Sequence, residues 1–105
     1  MNIKNIKNIQ ILSEAESDLL DGRLFYESQE QGVGKYFWDS LISDIESLIL
    51  YAGVHYKEYG YHRMPSKRFP YSIYYDLIED TAYVIAVLPE RRNPNWLSSK
   101  LSKKD

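Results

Sequence analysis

The chain contains no cysteine. That absence excludes a disulfide framework, cysteine ligands for zinc and a thiol nucleophile. Long apolar runs are also missing. Runs such as Leu48–Leu50 fall far short of the roughly 20 residues that a membrane span needs. Lys4 and Lys7 lie near the start, but Asn and Gln interrupt the residues after them, so no secretory signal is expected. Net charge is nearly absent, at −2 from 13 basic and 15 acidic residues. Such a chain lacks the strong positive field that draws a protein to nucleic acid. What is present fits one soluble cytoplasmic domain of 105 residues. Ile, Leu, Val, Tyr, Phe and Trp run throughout, which excludes disorder. Tyrosine supplies 10 of the 15 aromatic residues. Charge is divided unevenly, −5 over residues 1–55 and +3 over residues 56–105, so an anionic partner is expected to meet the second half.

Lys4–Leu12 alternates like a half-buried strand, with Ile9 and Ile11 on one side. Ser13 and Glu16 form a capping-box pattern, and Ala15, Leu19, Gly22 and Tyr26 recur at helical spacing, predicting a helix over about 14–29. Gly32 and Gly34 break it. A second helix carries an apolar stripe of Trp38, Leu41, Ile42, Ile45, Leu48 and Ile49, with Asp39, Ser43, Asp44 and Glu46 facing away and Gly53 closing it. The short connection predicts an antiparallel helical hairpin.

Beyond Val54 the period shifts towards two. Tyr56–Met64 reads as a loop entering a strand, and Pro65 and Ser66 punctuate it. Tyr71–Ile78 and Thr81–Leu88 read as strands joined by Glu79–Asp80. That loop places Ile73, Tyr75 and Leu77 on one face with Ala82, Val84 and Ala86. Ser72, Tyr74 and Asp76 share the other with Tyr83, Ile85 and Val87. The first face is assigned to the helices, and the second to solvent or a ligand. Asn93 and Pro94 predict a short terminal helix to about Leu101. The whole is an α+β two-layer domain over residues 1–105, ordered β-α-α-β-β-β. A helical hairpin lies on one face of a small, mainly antiparallel sheet, and residues 1–8 and 102–105 are expected to fray.

Arg68-Phe69-Pro70-Tyr71-Ser72-Ile73-Tyr74-Tyr75, and then Ala86-Val87-Leu88-Pro89-Glu90-Arg91-Arg92-Asn93-Pro94-Asn95-Trp96, closely resemble the RelE/ParE family of type II toxins, in particular its plasmid-stabilisation members. The similarity covers roughly residues 9–97. It implies a cognate antitoxin as partner, and two alternative targets. RelE-like members cleave messenger RNA on the ribosome; ParE-like members inhibit DNA gyrase without cutting RNA.

RNA cleavage requires a group to take the 2′-hydroxyl proton, positive charge on the phosphorane and an acid for the leaving oxygen. By the resemblance, Ser72 stands where RelE-like nucleases place an arginine on the open face. Arg91 matches an arginine near the end of the last strand, and Trp96 stands where a catalytic tyrosine is expected. A serine hydroxyl carries no fixed charge, and indole is no acid or base at neutral pH. Among Gly53–Tyr61 only Lys57 could replace the nuclease lysines. Catalytic candidates are therefore Arg91, His62 and Arg68, and any such enzyme would be a metal-independent endoribonuclease. His55 and His62 lack the spacing of a metal site, and neither metal nor cofactor is expected. Arg91 and Arg92 form a candidate clamp for phosphate or carboxylate. Tyr71, Tyr74, Tyr75 and Tyr83 suit cross-strand packing and a partner surface more than base stacking. Lys100, Lys103 and Lys104 form a basic tail. Ser72, Tyr74, Tyr83, Arg91, Arg92 and Trp96 are the expected partner-binding residues. The balance favours a protein-binding, ParE-like toxin over an enzyme. A RelE-type nuclease and a non-toxic antitoxin-binding module remain the alternatives.

Overall fold

The computed structural model of the chain describes residues 6–102. Strand β1 (Asn8–Ile11) is shorter than the alternation suggested. Ile6 is buried, and the N–H groups of Lys7 and Asn8 donate to the Asp80 carbonyl at 2.7 and 3.2 Å, so these three residues are held where fraying was expected. Residues 1–5 and 103–105, with Lys4, Lys103 and Lys104, lie outside the described residues.

Helix α1 (Ser13–Gln29) begins without the expected capping box. Leu12 is its N-cap, in extended conformation and with no side-chain cap. The cause is tertiary: Leu12 N–H donates to Val84 O at 3.0 Å as the last bond of the strand, and the helix starts at the next residue. Helix α2 (Val33–Glu46) is capped from outside itself, because the Glu27 carboxylate of α1 accepts from Gly32 N and, at 2.9 Å, from Gly34 N. A Cβ at Gly34 would lie 2.6 Å from the Arg23 carbonyl, which is why glycine occupies this close approach of the two helices. One further turn, α3 (Leu48–Tyr51), ends before Gly53, whose φ of +95° suits the residue after a helix.

Three residues depart from the predicted stripe. Phe37 is fully buried against Tyr26, Phe69 and Tyr71. Asp44, expected to face outward, is buried, and accepts from Ser66 Oγ at 2.6 Å and Lys67 N at 3.3 Å. It fastens the loop after the third strand to the helix. Ile49, placed on the stripe, is exposed.

Among the described residues the sheet has five strands in the order β1-β5-β4-β3-β2. Strands β2 (Lys57–Glu58) and β3 (Tyr61–Pro65) form a hairpin where a loop entering a single strand was expected. Its two-residue turn places Tyr59 at φ 57° and Gly60 at φ 87°, the left-handed pair that matches strand twist. Strands β4 (Tyr71–Ile78) and β5 (Thr81–Pro89) pair antiparallel, and β1 pairs parallel with β5. The expected register holds from Ile78–Thr81 to Tyr75–Val84. It then shifts by one, so Tyr74 faces Ala86 and Ile73 faces Val87, with Ile85 the extra residue of a bulge. The face assignments of Ala86 and Val87 are thereby exchanged. Val87 joins Ile73, Tyr75, Ala82 and Val84 in the core under the helical hairpin, and Ala86 joins Tyr74 on the opposite face.

That opposite face is not open. Helix α4 (Pro94–Leu101), with Asn93 Oδ1 accepting from Asn95 N at 2.7 Å, lays Leu97 and Leu101 over Tyr74, Ala86 and Leu88. The α+β class stands, with a helical hairpin on one face and a short helix on the other. No described helix is long and apolar enough to cross a membrane.

Candidate functional site

The strand–helix connection at Glu90–Asn93 carries the charged residues that the sequence singled out. Arg91 and Arg92 are exposed there. The Arg92 guanidinium lies 4.1 Å from the centre of the half-buried Trp96 ring, and Lys100 Nζ lies 5.6 Å from the same ring. These residues border a cleft of ≈ 440 Å³ whose other wall is α1, with Phe25, Tyr26 and Asp18, and whose floor includes Tyr71 and Val87. Arg91, Arg92 and Trp96 thus line one cleft. Asp18, Phe25 and Lys100 were missed as their neighbours.

Asp18 has a structural task at this cleft. β1 ends at Ile11, so the flank of β5 beyond Val84 lacks a strand partner there. Asp18 Oδ2 accepts from Val87 N at 3.0 Å, satisfying one N–H of that flank. Burial raises its carboxyl pKa to about 6, opposed by the Val87 hydrogen bond and by Lys100.

Ser72 and Tyr74, expected on an open face, are buried, with relative exposures of 0 % and 2 %. Tyr83 is half-buried on β5. Beside them Arg63 of β3 is held by two acids, with Nε 3.3 Å from Glu58 and Nη2 2.9 Å from Glu90. The Ser72 hydroxyl also donates to Glu90, at 3.0 Å. The face that would have to grip a phosphate therefore has its arginine matched by two carboxylates, with Leu97 of α4 beside them.

His62 and Arg68 do not line the Arg91 cleft. Arg68 is exposed in the loop before β4. His62 belongs to a different cluster: its ring stacks on buried Tyr75 at 4.9 Å, and its Nδ1–H donates to the His55 carbonyl at 2.7 Å. The Tyr75 hydroxyl accepts from Gly53 N at 3.0 Å and hydrogen-bonds His55 Nδ1. Burial first, and then His62, lower the pKa of His55. This arrangement ties the end of α3 to the sheet. Among the described residues, no three His, Asp or Glu side chains converge as metal ligands would.

No protein-family model matches the sequence, and no curated protein matches it. The fold does have a counterpart. A solved structure, of a chromosomal ParDE TA system from P. aeruginosa, superposes with a TM-score of 0.73 at 12 % identity, covering 82 % of this chain and 98 % of the matched one. At that identity the likeness speaks for the backbone arrangement alone, and in that sense the chain shares the fold of the matched chain of the ParDE system.

Proposed function

We propose that this chain is the toxin of a bacterial type II toxin–antitoxin pair, ParE-like and cytoplasmic, which inhibits growth by binding a protein target and is neutralised by a cognate antitoxin. The fold and the sequence resemblance support a toxin of this kind. The state of Arg63 favours protein binding over RNA cleavage. Cleavage needs uncompensated positive charge where the phosphorane forms. Here Glu58 and Glu90 both hold Arg63, Ser72 stands in place of an arginine, and α4 covers the sheet. Arg91 and His62, two of the three catalytic candidates, border different features of the molecule.

The antitoxin is assigned to the cleft between α1 and α4. Its aromatic walls and its rim of Arg91, Arg92 and Lys100 suit an amphipathic acidic segment that folds on binding. Induced expression should stop growth, and co-expression of the antitoxin encoded alongside should restore it. Gyrase is the first target to test, by supercoiling with purified toxin in excess. Unchanged supercoiling removes gyrase. Ribosome-dependent cuts in messenger RNA that vanish in Arg91→Ala would overturn the non-enzyme reading. Normal growth without antitoxin would leave only an antitoxin-binding module.

A further inference from the structure

Glu90 is the first residue after β5, and its side chain sits in a prepared place. One carboxylate oxygen, Oε2, receives both Arg63 Nη2 at 2.9 Å and the Ser72 hydroxyl at 3.0 Å. Ser72 is wholly buried, and Arg63 is fixed in β3 opposite Tyr74 of β4, so both donors are held in place by the sheet. We infer that Arg63 and Ser72 form a carboxylate-binding site which the chain fills with its own Glu90, and that an acidic side chain of a partner protein takes that place on binding. This rests on the reading that the chain acts by binding proteins.

Three observations carry the exchange. Glu90 is anchored by its backbone, whose N–H donates to Pro70 O at 2.9 Å, so vacating the site needs only a side-chain rotation. The Arg63 and Glu90 side chains are 32 % and 31 % exposed, so a partner reaches the site from solvent without unfolding the sheet. If Glu90 leaves, the buried Ser72 hydroxyl and the guanidinium both lose an acceptor, which a new carboxylate restores.

Charge and size select the occupant. Glu58 remains 3.3 Å from Arg63 Nε, so an incoming carboxylate brings one negative charge beside it, whereas a phosphate dianion brings two. The adjoining depression of ≈ 180 Å³, with Tyr59 and Leu97 in its wall, suits a side chain rather than a nucleotide.

The test uses the purified chain alone, with acetate as the carboxylate probe. Glu90→Ala should melt at a lower temperature than wild type. Acetate should restore part of that loss while chloride at equal ionic strength does not, and phosphate should restore less than acetate. Wild type and the double variant Glu90→Ala/Arg63→Gln should show no acetate-specific shift. Equal responses to acetate and chloride in Glu90→Ala, or an undiminished acetate response in the double variant, overturn the site. A larger response to phosphate overturns its assignment to carboxylate. If Glu90→Ala does not fold, Glu90→Ser is followed through the Arg63 Nε–H resonance, which should move with acetate and not with chloride; no movement overturns the proposal. Neither growth nor gyrase enters this experiment, so its failure leaves the toxin reading standing, and failure of the toxin reading leaves this site to be judged by its own result.

Discussion

Asp18 is held in its protonated form more readily when folded than when unfolded, since burial lifts its pKa to about 6. Between the unfolded value, near 4, and 6 the native state binds the extra proton, so stability falls as pH rises through that window. Asp18→Asn keeps an oxygen for Val87 N–H and removes the charge. It should flatten that slope and gain about 1 kcal/mol at neutral pH, an amount discounted for the solvent that screens a partly exposed group; urea unfolding between pH 4 and 7 measures both. Tyr74 makes the complementary case. Alternation put it on an outer face, among the expected partner-binding residues. Buried at 2 % exposure among Leu88, Leu97 and Leu101, Tyr74→Ala should instead cost about 3 kcal/mol of stability in equilibrium unfolding. Alternation along a strand shows which residues share a face, but it does not show whether a later helix covers that face.

The same distinction governs the elements. Helix existence, the hairpin and strands β4 and β5 were legible because period and punctuation are local properties of Ala15–Tyr26, Trp38–Leu48 and Tyr71–Leu88. The bulge at Ile85 was not, since Thr81–Leu88 is β-prone at nearly every position and one extra residue leaves no compositional mark. Nor was β2, whose two residues, Lys57 and Glu58, are both poor strand formers held by a turn at Tyr59 and Gly60. One signal was present and unused: Leu97 and Leu101, four apart, give the terminal helix an inward stripe. Leu101→Ala should destabilise the chain by about 2–4 kcal/mol in thermal or urea unfolding. In the helical hairpin, Gly34→Ala pushes a methyl against the Arg23 carbonyl and should cost about 1–3 kcal/mol by the same measurement, because backbone there has little room to yield.

Across the whole molecule, the acidic first half and the basic second half do not form separate poles. Asp18 and Asp21 face the same cleft as Arg91, Arg92 and Lys100, so the folded site has an acidic wall and a cationic rim. The legible part of this site was the Arg91–Trp96 segment, contiguous in sequence; its α1 wall lies some seventy residues earlier in the chain, as the Asp18–Val87 bond shows, and periodicity carries no information about that pairing. Arg91→Glu with Arg92→Glu, both exposed, should leave the melting temperature nearly unchanged and weaken antitoxin binding at least about tenfold, about 1.4 kcal/mol, by calorimetry. The parallel pairing of β1 with β5 has a kinetic meaning as well. Its bonds from Lys7 and Asn8 reach Asp80, so β1 must wait for nearly the whole chain before it has anything to pair with. β2 through β5 are consecutive hairpins and close over short distances, whereas the first strand closes the longest loop in the sheet. During synthesis the helical hairpin therefore emerges before the sheet that buries it, and a chain interrupted before Thr81 lacks both the strand that β1 joins and the helix that seals the far side. On the toxin reading, a nascent copy is harmless until translation is almost complete.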